Sequence, residues 1–171
     1  GNSAGLDGGG GIRNHGILTI TNSTLSGNSS LSGGGGILNW SFTTLTITNS
    51  TLSGNFCGSG PYDHGGGILN LGNNGNGILK IGDTILNAGP SGENIFNEVG
   101  TVTSLGYNLS SDNGGGFLTG TGDRINTDPR LGPLQNNGGP TFTHLPASNS
   151  PAIDRGDPTL AMDQRGSGFQ R

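Results

Sequence analysis

Charge and aromatic residues are both scarce. Only 11% of the 171 residues are charged and 5% are aromatic, so the outer surface has to be built from Thr, Ser, Asn and Gly. The net charge is −4, and five of the seven basic residues lie beyond residue 114. No basic stripe results that could neutralise a phosphate backbone, which argues against a nucleic-acid partner. No apolar run approaches the roughly 18–20 residues that cross a bilayer, so no membrane span is expected. The single cysteine, Cys57, rules out an internal disulfide framework and leaves the compartment open. Helical periodicity is missing throughout.

What the chain does have is glycine, 37 residues of it, and repetition. The stretch "LTITNSTLSGN" occurs at Leu18–Asn28 and again, letter for letter, at Leu45–Asn55. Glycine at this level would read as disorder without a period, but here the glycine runs recur with the repeats. "GGGGIRNHGILTITNSTLSGN" from Gly8 matches "GGGGILNWSFTTLTITNSTLSGN" from Gly33, and weaker copies follow from Gly65 and Glu93. Ile12, Ile37, Ile68 and Ile95 then correspond, as do Leu25, Leu52, Leu86 and Leu109.

A period in the twenties with variable insertions is the mark of a solenoid, whose units bury their apolar faces only by stacking. In "LTIT" the apolar Leu18 and Ile20 alternate with Thr19 and Thr21, the period of a strand with one buried face. Each turn therefore reads as about three short strands, Ile12–Asn14, Leu18–Thr21 and Thr24–Ser26 in the first. The expected fold is all-β: a right-handed parallel β-helix of about four rungs over 1–113, with a less regular cap of the same domain over 114–171. The Ile and Leu sets above form the expected core stack. Asn14, Asn39, Asn70 and Asn97 fall at one corner and Asn22, Asn49 and Asp83 at another, where stacked side chains can bond one another and the turning backbone.

The rungs resemble the right-handed β-helix repeats of bacterial polymorphic outer-membrane and adhesin-like proteins. "GTVTSLGYNLSSD", "DRINTDPRLGPLQNNGGPTFTHLPASNSPAIDRGD" and "DQRG" are similar to the tail of the choice-of-anchor Q domain of large secreted bacterial proteins. The resemblance implies a bacterial surface or extracellular location and brings no catalytic motif. It also implies a continuation after "DQRG" that Arg171 cuts off, and Gly1-Asn2-Ser3 matches the end of a rung. Both ends read as cut from something longer, or as completed by neighbours stacking head to tail through Gly1–Gly11 and Asp154–Arg171.

Parallel β-helices also house polysaccharide lyases and hydrolases, which need converging acids. The outward positions Thr19, Thr21, Thr46, Thr48, Lys80 and Gly82 include none. The Thr-x-Thr rows suggest an ice-binding face, but Lys80 and Gly82 break them. Cys57, Tyr62, Asp63 and His64 share one insertion without a zinc spacing, and His15 and His144 are isolated. Asp154, Asp157 and Asp163 with Arg155 and Arg165 suit an ion-paired cap better than a calcium site. No catalytic residue, metal or cofactor is expected. The sequence points to a structural stalk, adhesin or filament subunit; the alternative is a carbohydrate-binding or carbohydrate-cleaving β-helix, hinted at by Trp40 and Phe42.

Overall fold

The structure is a computed structural model that describes residues 1–58, 64–72, 75–160 and 162–166. Strand formation follows the alternation of the repeat. In Leu45-Thr46-Ile47-Thr48, β-branched and aliphatic residues favour extended backbone. Leu45 and Ile47 turn inward with 0% exposure, and Thr46 and Thr48 turn outward, half-buried.

β1 (Ser3–Ala4) ends a first partial turn. The next turn runs through β2 (Ile12–Asn14), β3 (Ile17–Thr21), β4 (Thr24–Ser26) and β5 (Ser29–Ser30). Its counterparts one turn on are β6 (Ile37–Asn39), β7 (Thr44–Thr48), β8 (Thr51–Ser53) and β9 (Phe56–Cys57). Then come β10 (Ile68–Asn70), β11 (Ile78–Gly82) and β12 (Ile85–Asn87), followed by β13 (Ile95–Asn97), β14 (Thr101–Gly106) and β15 (Leu109–Ser110). Like strands pair in parallel, which sets Ile12, Ile37, Ile68 and Ile95 in one column and Leu18, Leu45, Leu79 and Val102 in another. The result is a parallel β-solenoid of about four turns, with no α-helix among the described residues.

One member of the expected core stack is displaced. Leu25, Leu52 and Leu86 share a column, but Leu109 pairs with Ile85, and Ser110 takes the place beside Leu86. The cause is an irregularity in β14, where the register against β11 shifts so that Gly82 meets Gly106. A slip of one residue turns a side chain to the opposite face of a strand. Leu109 therefore leaves the central cluster, yet it stays 5% exposed, lining a small pocket together with Ala152 and Gly156.

Glycine runs line one outer face for a steric reason. Leu38 and Leu69 point outward but are 2% and 8% exposed, because glycine backbone lies directly on them. A Cβ on Gly8 would stand 2.9 Å from Leu38 Cδ2, and one on Gly33 2.7 Å from Leu69 Cδ2. Both glycines also have positive φ, 71° and 69°, which other residues adopt at a cost.

The two axial ends differ. Leu118 joins the core cluster beyond the last full turn and Phe117 packs against it. Tyr107 N donates to Thr121 O and Ser110 N to Arg124 O, both at 2.8 Å. Coiling thus continues past the boundary expected at 113, as far as a parallel bridge between Leu109 and Arg124. At the opposite end Ile12, Leu18 and Leu25 are only partly buried.

The rest of the C-terminal segment is not a cap on the last rung. An antiparallel hairpin, β16 (Leu131–Gln135) with β17 (Thr143–Pro146), leads into a strap that lies along the flank of the coil. Asp157 N donates to Asp83 Oδ1 at 2.6 Å, Asn49 Nδ2 to Met162 O at 3.3 Å, and Thr24 Oγ1 to Gln164 Oε1 at 2.6 Å. These anchors sit on successive turns, so the strap crosses the rungs. Residues 154–166 therefore form no axial stacking face where they are described; 167–171 lie outside the described residues.

Candidate functional site

The corner asparagines form a ladder. Asn14 Nδ2 donates to Asn39 Oδ1, Asn39 Nδ2 to Asn70 Oδ1 and Asn70 Nδ2 to Asn97 Oδ1, each at 2.7 Å. Asn39 and Asn70 are 0% exposed, so these amides satisfy one another and the corner backbone in place of water. Asn22, Asn49 and Asp83 all take left-handed backbone, with φ of 49°, 47° and 50°. Asn49 Nδ2 donates to Asn22 Oδ1 at 2.5 Å, and Asp83 receives the strap. A further column runs through Asn2, Asn28 and Asn55: Asn2 N donates to Asn28 Oδ1 at 2.9 Å and Asn28 N to Asn55 Oδ1 at 3.0 Å. The repeated "SGN" carried its signal, but the sequence reading assigned it no role.

The insertion around Cys57–His64 is not brought together as a reactive cluster among the described residues. Cys57 is buried, while His64 stacks on Phe96 with ring centroids 4.0 Å apart and lies 3.6 Å from Glu93. Tyr62 and Asp63 lie outside the described residues. His15 sits 5.5 Å from Trp40, and Arg13 lies 4.8 Å over the same indole. Phe42 is 75% exposed in left-handed backbone, φ 61°. His144 bridges the hairpin to the coil, with Nε2 2.9 Å from Ser26 Oγ and Nδ1 2.7 Å from Gly132 O.

Asp112 ties the fourth turn together. Burial disfavours its charge, but N–H donors from Asn94 and Gly114 at 2.8 Å and the Ser110 hydroxyl at 2.7 Å outweigh that. They hold its carboxyl below the usual carboxylate range.

Where the strap stands off the flank it leaves a cleft of about 490 Å³, inside the range of roughly 300–1,000 Å³ typical of small-molecule sites. Thr51 and Ile85 on the outer sheet face form part of its floor, and Leu145, Ile153 and Leu160 supply apolar wall. Asp83, Asp154, Asp157, Asp163, Arg155 and Arg165 all line it. Arg165 is held by Asp163 at 2.6 Å, a hydrogen bond that raises the guanidinium pKa further. No three acids, histidines or cysteines among the described residues are placed to hold a metal ion.

No protein-family model, curated protein or solved structure matches this chain. Its reading therefore rests on its own geometry. The sequence missed the cleft altogether, because its walls come from segments far apart in the chain, Asn49–Thr51 and Thr143–Arg165 among them, and no local pattern encodes their meeting.

Proposed function

We propose that the chain is a structural β-solenoid of a bacterial surface or extracellular protein, serving as a stiff spacer in a stalk or adhesin. The observation that carries this reading is the unbroken column of side-chain amides from Asn14 to Asn97, running with the stacked parallel sheets. Such a column rigidifies a coil along its axis and performs no chemistry. The hydroxyl and amide surface, poor in charge, suits a spacer that avoids other surfaces, and the resemblance to choice-of-anchor Q tails favours an exported protein. Head-to-tail stacking into a filament is the weaker version, because Phe117 and Leu118 cover the trailing end and the strap lies on the flank.

Immunogold labelling of intact source cells, together with protease shaving, tests the location. Label on the cell exterior and loss of the epitope on shaving support the reading; label confined to the interior refutes it.

A further inference from the structure

We propose that the cleft between strap and flank is a binding site for a neutral oligosaccharide. The proposal does not depend on the spacer reading, since a stalk and an isolated domain could each carry it.

The chemistry of the walls selects the ligand. A sugar presents hydroxyl edges that both donate and accept, beside apolar C–H faces. The cleft offers a carboxylate acceptor (Asp154), a guanidinium donor (Arg155) and aliphatic surface that the fold leaves unburied: Leu145, Ile153 and Leu160 are 48%, 42% and 36% exposed. Small-molecule sites combine these features, apolar walls with a few convergent polar groups.

Charge excludes the obvious competitors. Four aspartates face two arginines, one of them, Arg165, already paired with Asp163. By formal charge the described lining is net negative, which disfavours uronates, phosphates and sulfated glycans. A peptide cannot add as a strand to the cleft floor, because the floor strand β8 is paired on both sides, by β4 and β12.

Two adjacent lining residues carry the test. Asp154 and Arg155 line the cleft and make no hydrogen bond or ion pair with any described residue. Asp154 is held with φ of 55°, a conformation that glycine adopts without cost.

Calorimetric titration of the full chain with cellobiose, maltose, lactose and chitobiose, and with their tetrasaccharides, tests the idea, with tetragalacturonate as the anionic control. The expected result is saturable binding of at least one neutral series and none of the control. Arg155→Ala should weaken it at least tenfold. Asp154→Gly is the sharper variant, because glycine suits φ of 55°: the melting temperature should hold or rise while affinity falls at least tenfold. Trp40 is the only tryptophan and lies beyond the other end of β7, so its fluorescence should not respond. Absence of binding at millimolar sugar, binding indifferent to both substitutions, or a Trp40 response that places the ligand at that corner would each overturn the proposal.

Discussion

Replacing Asn39 by Leu tests whether the amide column supports the coil. Asn39 is 0% exposed and sits mid-ladder. It accepts from Asn14 Nδ2 at 2.7 Å and Thr43 Oγ1 at 2.8 Å, and donates to Asn70 Oδ1 at 2.7 Å and Ile78 O at 3.1 Å. The two donors have other partners: Asn14 Nδ2 also reaches Gly16 O and Thr44 O, and Thr43 Oγ1 also reaches Trp40 O. Ile78 pairs with Thr44 in the parallel ladder, so its carbonyl keeps its strand bond, and the cost falls on Asn70 Oδ1, which loses the Asn39 amide on a residue of 0% exposure. An orphaned buried group costs about 1–3 kcal/mol. For a chain of this size that lowers the melting temperature by on the order of 3–10 °C. Circular dichroism melts and urea titrations of wild type, Asn39→Leu and the exposed-ladder variant Asn22→Gly would measure it. Asn22→Gly should cost less than about 1 kcal/mol, since glycine suits φ of 49° and solvent replaces the lost bond. Equal losses at both sites, or a loss below about 1 kcal/mol at Asn39, would refute the reasoning.

Three further outcomes follow from the geometry. Gly33→Ala should destabilise more than Gly27→Ala in denaturant titrations: both have positive φ, a penalty of about 1–2 kcal/mol, but only at Gly33 would the new Cβ meet Leu69 Cδ2 at 2.7 Å and His64 O at 2.8 Å. Ile47→Asp should abolish the cooperative thermal transition by placing an unpaired charge at a position of 0% exposure, whereas Thr46→Asp on the outer face should be mild; similar losses would mean the in-and-out register is wrong. Asp112 contributes to acid stability with a definite sign. Its folded pKa lies below its unfolded value, near 3.9, so its stabilisation is complete above that value and fades as pH falls through the folded one. Melting temperatures from pH 5 to 2 should therefore fall less steeply in Asp112→Asn than in wild type, and parallel curves would contradict the assignment.

The rungs were legible because a solenoid stacks equal residues on equal residues. Ile12, Ile37, Ile68 and Ile95 could be aligned in the sequence and occupy one column in the structure. The same logic failed at Leu109, since letter matching cannot detect the β14 irregularity that moves it beside Ile85. Asn2, Asn28 and Asn55 were visible as repeated letters, yet their bonds run to backbone N–H as well as to side chains, a role that composition does not announce. The strap and its cleft were not legible at all. Contacts such as Ser26 with His144, 118 residues apart, come from tertiary folding of a segment with no repeat to guide it.

The strap also changes how the coil comes apart. In an open solenoid each turn touches only its neighbours, so end turns can fray one at a time at little cost. Here Thr24, Asn49 and Asp83, on three successive turns, are tied to one polypeptide segment. Peeling the leading turn must also release its strap anchor, and detaching the strap strips lateral support from all three turns together. Loss of one end is thereby coupled to loss of the middle. A chain whose rungs are chemically near-identical thus acquires the cooperativity of a single unit, and a pull along its axis is shared between the rung hydrogen bonds and a lateral tie that crosses them.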